Sequence, residues 1–191
     1  SENLAEYYPT ERDGQEILAS TCTYTIDCDS CGGTVPTIPK WWIQKNGSLE
    51  GTAIKPEYDN GGVKYQCVEL DGTKYGEENF DPSNGNVTRG DVECPHCGVV
   101  MESNAVKSKF RDDDFDYDVY AVKYADPRGG SGYRAGSEID NEAVERAQER
   151  INSDFELMTF LTTQIPSGQK TDEPRGYGME EWRDIFNPRQ L

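Results

Sequence analysis

Four cysteines occur in two Cys-x-x-Cys-Gly motifs, which cover residues 28–32 and 94–98. The two-residue spacing lets both thiolates of a tight turn reach one tetrahedral metal ion at about 2.3 Å. The glycine supplies the backbone freedom that the turn needs and leaves room for amide groups near the sulfur atoms. Two such motifs provide four ligands, so we predict one Zn²⁺ site formed by Cys28, Cys31, Cys94 and Cys97.

The ligand set predicts a structural metal, because four thiolates leave no open position for a catalytic water molecule. A thioredoxin-like redox pair requires one such motif at the start of a helix, and neither motif precedes a helical pattern. Four buried free cysteines would not need this spacing. Rubredoxin-like iron also suits Cys-Pro-x-Cys-Gly and remains an alternative, although the long segment between the motifs exceeds what a compact iron carrier needs.

Two further cysteines and the single histidine lie outside the ligand spacing. We interpret Cys22 and Cys67 as small buried hydrophobic residues rather than as a second metal site. His96 lies between the two ligands of the second motif. We expect its side chain to point outward and not to bind the metal.

The composition is acidic and only moderately apolar. The 191 residues include 36 Asp and Glu against 19 Lys and Arg, giving a formal charge of −17, and 34% are hydrophobic. The eleven tyrosines, six phenylalanines and three tryptophans argue against disorder. We therefore expect a folded protein from a salt-loving cell, because molar salt shortens the Debye length to about 3 Å and screens surface carboxylates. Neither a secretory leader nor a membrane-spanning run is visible, so we expect a cytoplasmic location without a membrane partner.

The pattern of apolar and turn residues predicts an α+β fold, with zinc-ribbon β-hairpins, an inserted antiparallel β region and a C-terminal helical part. We expect a lead-in segment at 1–19, a β domain at 20–136 with the insertion at 32–93, and the helical part at 137–191. Short strands are predicted at 21–26, 34–38, 41–44, 52–55, 63–68, 99–101 and 119–124.

The clearest helix is predicted to begin at Ser137, with Asp140 placed for a capping box, and to end at residues 166–168. Its apolar stripe has helical spacing and consists of Ile139, Ala143, Ala147, Ile151, Phe155 and Met158. A short terminal helix is expected over residues 180–186.

The sequence contains neither a glycine-rich phosphate loop nor Gly-x-Ser-x-Gly, and no histidine stands near a nucleophile, so we assign no catalytic residue. Trp41 and Trp42 should face opposite ways, one of them into the core. Four lysines lie close to these tryptophans in the sequence, at Lys40, Lys45, Lys55 and Lys64. They form the only concentration of basic residues in the sequence that could contact the phosphates of a nucleic acid.

Several further motifs accompany the cysteines in a fixed order. Tyr8-Pro9 precedes the first cysteine motif. Between the two cysteine motifs lie Val35-Pro36, Trp41–Lys45 and Ile54–Pro56, and then Val87–Gly90, which introduces the second. The second motif is followed by Tyr177-Gly178, Trp182–Phe186 and Arg189–Leu191. In this order they resemble the internal zinc-ribbon segment of the adenine-specific DNA methylases that contain a zinc ribbon. The resemblance covers nearly the whole chain, and we expect its source to be a halophilic archaeon.

The resemblance implies a non-catalytic accessory domain of an S-adenosylmethionine-dependent adenine-specific DNA methyltransferase. Its partners would be the catalytic domain of that enzyme and, as a further candidate, DNA. The family carries its cofactor-binding glycine motif and its Asp/Asn-Pro-Pro-aromatic motif in flanking regions, and this chain has neither. We therefore expect it to be a fragment of a larger methylase that does not catalyse methyl transfer alone. The alternatives are a rubredoxin-like electron-transfer protein and a purely structural protein-interaction module.

Overall fold

The computed structural model describes residues 16–48, 50–72, 80–154, 158–159 and 161–186. Within these ranges the strands form three antiparallel sheets, which we name sheets A, B and C. The strands are β1 (Glu16–Asp27), β2 (Thr34–Pro36), β3 (Trp42–Lys45), β4 (Glu50–Asp59), β5 (Gly62–Asp71), β6 (Val87–Thr88), β7 (Asp91–Glu93), β8 (Val100–Met101), β9 (Asp116–Ala125) and β10 (Ser131–Ala135). Helices include α1 (Ser103–Arg111), α2 (Glu138–Ser153) and α3 (Asp172–Gly176), and a 3-10 turn covers Trp182–Ile185.

Sheet A has the strand order β10-β9-β1-β2. Its longest pairing joins β1 to β9, from Glu16 opposite Ala125 to Thr25 opposite Asp116. Strand β1 therefore begins at Glu16, inside the predicted lead-in segment, and is longer than the strand expected at 21–26. Strand β2 lies at the sheet edge, where Pro36 is tolerated because an edge strand can leave one side of its ladder unpaired.

Sheet B has the order β3-β4-β5 and forms most of the region between the two cysteine motifs. Strands β4 and β5 are joined by Asn60 and Gly61, whose φ angles of +49° and +81° fit the two-residue turn that Asn-Gly favours. Trp41 is buried, and its ring lies 6.3 Å from the rings of both Tyr65 and Tyr120. These aromatic contacts pack sheet B against β9 of sheet A.

Sheet C is small, with the order β6-β7-β8, and leads directly into α1. Helix α1 was not expected from the sequence. Its first amide, on Ser103, donates to the Asp91 carboxylate at 2.8 Å. This acceptor comes from the neighbouring hairpin and not from the residue before the helix. Val106 and Phe110 are buried one helical turn apart and place α1 on the core.

Helix α2 begins as predicted, with a capping box between Ser137 and Asp140. The predicted apolar stripe is correct at Ala143, Ala147 and Ile151, which are buried. It is wrong at Ile139, which is 52% exposed, because the buried face of the helix passes through Asp140 in its first turn and Val144 in the next. The helix ends at Ser153, well before residues 166–168. Phe155 lies outside the described residues, as do residues 1–15.

The remaining C-terminal elements are short. The helix expected over residues 180–186 is a 3-10 turn at Trp182–Ile185. In the described part of the chain, no helix has both the length and the apolar character needed to cross a membrane.

An ion pair between β10 and the start of α2 fixes the position of this helix. The Asp140 side chain is fully buried and accepts from Arg134 at 2.6 and 2.9 Å and from the Ser137 hydroxyl at 2.7 Å. Burial alone would raise the pKa of Asp140, but the hydrogen bonds from Arg134 and Ser137 hold it below its usual value.

Asp140→Ala should lower the free energy of unfolding at pH 7 by about 3 kcal/mol, because it leaves the Arg134 guanidinium without its carboxylate. Urea unfolding measures the difference. The matched control is Glu142→Ala, which removes an exposed i,i+4 pair with Arg146 and should change stability by less than about 0.5 kcal/mol.

The same ion pair predicts a pH dependence. Folding depresses the pKa of Asp140. The ion pair therefore contributes fully to the free energy of unfolding above the pKa that Asp has in the unfolded chain, about 3.9, and this contribution is lost as the pH falls below that value. The stability difference between wild type and Asp140→Ala should shrink below about pH 4. A difference that stays constant with pH, or equal stability at pH 7, would contradict the role assigned to this pair.

Candidate metal centre

The first cysteine motif forms the turn between β1 and β2, and we call residues 28–33 the first knuckle. The Cys28 amide donates to the Gly33 carbonyl at 2.9 Å, and the Gly32 amide donates to the Cys28 carbonyl at 2.8 Å. Gly32 has a φ of +69° with open space around its Cα, so the backbone conformation, rather than crowding, requires glycine here.

The second motif forms the turn between β7 and β8 with the same hydrogen bonds, and we call residues 94–99 the second knuckle. The Cys94 amide donates to the Val99 carbonyl, and the Gly98 amide donates to the Cys94 carbonyl, both at 2.8 Å. Gly98 has a φ of +74°, close to that of Gly32. The two motifs thus fold into equivalent turns, each between paired antiparallel strands.

The structure brings the four predicted ligands together. The Sγ atoms of Cys28 and Cys97 lie 3.8 Å apart, those of Cys31 and Cys94 lie 3.7 Å apart, and all four fall within 4.8 Å of one another. A tetrahedral ion with sulfur ligands at about 2.3 Å requires sulfur atoms about 3.8 Å apart. A disulfide would require about 2.05 Å, and the cysteines are free. The four cysteines therefore fit one tetrahedral metal ion.

Each knuckle contributes one buried and one exposed cysteine. Cys28 and Cys94 are 2% and 0% exposed, whereas Cys31 and Cys97 are exposed. The buried pair belongs to a hydrophobic cluster that also contains Ile26, Val35, Val92, Met101, Val106 and Phe110. The candidate metal centre is thus part of the core that joins sheets A and C to α1.

Burial and the knuckle amides act in opposite directions on the buried thiols. Burial raises the pKa of Cys94 to about 12. For Cys28, burial also raises the pKa, but hydrogen bonds from backbone amides of the first knuckle, together with those from the thiols of Cys94 and Cys97, lower the value to about 7. A coordinated cation would stabilise the deprotonated form of both groups, since metal-bound thiols lose their protons.

His96 does not point outward, and that expectation was wrong. Its ring lies against Gly33, where an added Cβ would come within 2.5 Å of the ring carbon Cδ2. Its Nε2 atom is 3.0 Å from the Thr34 carbonyl oxygen, and its ring meets that of Tyr58 at 5.3 Å and 76°. Among the described residues, the group of potential metal ligands contains the four cysteines and not His96.

Lys109 is a further residue of the site, and it was not predicted from the sequence. Its ammonium lies 2.7 Å from the Asp29 carboxylate in the first knuckle and 2.8 Å from that of Asp114, and its side chain is only 12% exposed. It attaches the end of α1 to the first knuckle. The i,i+4 spacing of Val106 and Phe110 and the basic residues in the last turn were the available signals for α1, and neither was used in predicting the helices.

The two remaining cysteines lie apart from the centre. Cys22 is half-buried and packs against the apolar cluster around Val119 and Val144. Cys67 is also half-buried, and its thiol donates to the Tyr133 carbonyl at 3.6 Å. Within the part of the chain that the structure describes, neither belongs to the group of potential metal ligands.

The lysines of sheet B come together on one face. Residues paired across antiparallel strands point to the same side, and the register places Trp42, Lys45, Lys55 and Lys64 on that side. We call this the lysine face of sheet B. Trp42 is half-buried there, with the Lys45 ammonium 5.3 Å from its ring centroid. Glu57 lies opposite Lys64 and offsets part of the positive charge.

Comparison of the chain with family models, with curated proteins and with solved structures found no match. The function must therefore be inferred from the residues and the geometry of the site.

The geometry predicts one metal ion per chain. Cys94→Ser should abolish the four-thiolate absorption that Co²⁺ gives on binding, and Cys22→Ser, the matched control, should retain it. Removal of the metal with a chelator should lower the melting temperature, because the hydrophobic cluster loses the bond between its two knuckles. Unchanged metal content in Cys94→Ser would contradict the site.

Proposed function

We propose that the chain is a non-catalytic zinc-ribbon accessory domain of an adenine-specific DNA methyltransferase, held together by one structural Zn²⁺ ion. The observation that carries the zinc site is the meeting of two equivalent knuckles, which places four cysteine sulfurs within 4.8 Å of one another. Two hairpins that contribute two cysteines each are the arrangement that defines a zinc ribbon.

Zinc suits both the ligands and the needs of the fold. Tetrahedral sites of four sulfurs select Zn²⁺ or iron among the common metals. Hydrophobic residues make up 34% of this chain, so apolar burial supplies less stability than in a typical domain. A structural metal adds folding free energy directly. A rubredoxin-like iron site has the same ligand geometry, and the identity of the bound metal distinguishes this alternative.

The accessory role follows from the resemblance in motif order, and the positions of these motifs support it. Val35 belongs to the hydrophobic cluster that contains Cys28 and Cys94. Val87, in strand β6 of sheet C, packs against the same cluster. The ring of Tyr177 packs against Phe110 of the same core at 5.7 Å. Three of the motifs thus contribute residues to the core around the candidate metal centre. Tyr8-Pro9 and Arg189–Leu191 lie outside the described residues.

The lysine face of sheet B is the surface that we propose for contact with DNA. Lysines bind phosphates, and counterion release makes such contacts sensitive to salt. The face carries Lys45, Lys55 and Lys64 on a chain whose formal charge is −17, so any DNA contact should be concentrated there. If the face does not bind DNA, the domain serves only to dock onto the catalytic domain, which is the structural alternative.

The isolated, metal-loaded chain should neither bind S-adenosylmethionine nor transfer a methyl group to DNA. Methylases hold this cofactor at a glycine loop between a strand and a helix, whereas Gly32, Gly61 and Gly98 lie in turns between strands. Titration calorimetry and a radiolabelled methyl-transfer assay make the test. Micromolar affinity for the cofactor would show that the chain is itself an enzyme.

Lys64→Gln should weaken binding to a short DNA duplex at low salt. It should also reduce the slope of log K against log salt by about 1, since it removes one phosphate contact. Lys170→Gln is the matched control, because Lys170 is an exposed lysine outside sheet B and should leave the slope unchanged. Fluorescence anisotropy measures both. Equal effects of the two changes, or no binding by wild type, would contradict the DNA contact and favour the docking role.

A further inference from the structure

Three parts of the protein meet at the side chain of His96. The ring belongs to the second knuckle, lies on Gly33 of the first knuckle and meets the ring of Tyr58 near the end of β4. The Thr34 carbonyl accepts from the ring nitrogen Nε2 at 3.0 Å. Because a carbonyl oxygen can only accept, Nε2 carries the proton in this contact.

The tip of the β4–β5 hairpin is attached to the same place. The Thr34 amide donates to the Gly61 carbonyl at 2.8 Å, so the hairpin turn holds one backbone group of Thr34 while His96 holds the other. The region between the two motifs therefore does not extend freely from the metal centre. Its tip returns to the metal centre, through Gly61 at Thr34, the residue that follows the first knuckle, and through Tyr58 at His96 of the second knuckle.

We propose that His96 is a positioning residue that couples the metal centre to the β4–β5 hairpin. The inference rests on the proposed zinc site. His96 lies between Cys94 and Cys97, so a bound ion fixes the backbone on both sides of it. The same ion fixes the first knuckle, which carries Gly33. The metal thus sets the distance between the two knuckles, which the His96 ring bridges.

The coupling has to act in both directions. If the bound metal stabilises the docked hairpin, the docked hairpin raises the affinity for the metal by the same factor. Contacts that surround metal ligands without binding the ion commonly change metal affinity by about 10- to 100-fold. His96 therefore both holds the hairpin tip and slows the loss of zinc.

The first test measures zinc release to a chromogenic chelator and amide hydrogen exchange in the zinc-loaded chain. His96→Ala should release zinc roughly tenfold faster. Exchange should become faster at residues 58–64, at the hairpin tip, and stay unchanged at 50–53, at its far end. The Co²⁺ spectrum should remain that of four thiolates. His96→Gln retains an N–H donor and should give an intermediate rate.

The matched control is Glu57→Ala. Glu57 is exposed and adjoins Tyr58 in sequence, but it points to the opposite side of β4 and cannot reach His96. This change should leave both the rate of zinc release and the exchange at the hairpin tip as they are in wild type.

Gly33→Ala provides an independent test through a double-mutant cycle. An alanine Cβ at this position would come within 2.5 Å of the His96 ring, whereas the φ of Gly33 lies outside the left-handed region. Gly33→Ala should therefore accelerate zinc release in wild type and have little further effect in His96→Ala. The two changes should be strongly non-additive.

The outcomes separate the inference from the proposed function on which it rests. Wild-type protein that binds no zinc would contradict the proposed function and the coupling together. Zinc-loaded His96→Ala with unchanged release and unchanged exchange would overturn the coupling alone. Additive effects of Gly33→Ala and His96→Ala would also overturn it, because the glycine would then act independently of the ring.

Discussion

The contact on which the fold depends is the meeting of two knuckles that lie far apart in the chain. Cys31 and Cys94 are 63 residues apart in sequence, yet their sulfurs lie 3.7 Å from each other. Holding the ends of such a long segment together costs chain entropy, and a metal ion bound by both knuckles would offset part of that cost. The buried cysteine of each knuckle also belongs to the hydrophobic cluster around sheets A and C, so one contact organises both the candidate metal ligands and this part of the core.

Local sequence patterns predicted the parts of this site that are determined by neighbouring residues. The spacing of Cys28 and Cys31 and the following glycine specify a turn whose hydrogen bonds the structure contains. The same is true of Ser137 and Asp140, which form the predicted capping box. Trp41 and Trp42 separate into a buried and a half-buried side chain, as alternation requires. In each case the determining residues lie within a few positions of one another.

The features that were missed depend on residues from distant parts of the chain. Helix α1 has its first amide capped by Asp91 of strand β7, an acceptor that the residues next to the helix do not reveal, and its buried face consists of only Val106 and Phe110. The expected outward orientation of His96 failed because Gly33, on the other knuckle, leaves space for the ring. Sequence spacing identifies which cysteines come together, but it does not show which other side chains the meeting of the two knuckles brings into contact.

The most direct test of this account is X-ray absorption at the zinc edge on the purified chain. The account predicts one zinc per chain with four sulfur neighbours at about 2.3 Å and no nitrogen neighbour. Iron as the bound metal would contradict the structural zinc site. Zinc with a nitrogen in place of one sulfur would show that His96 is a ligand, which would contradict the four-cysteine centre and the role assigned to His96.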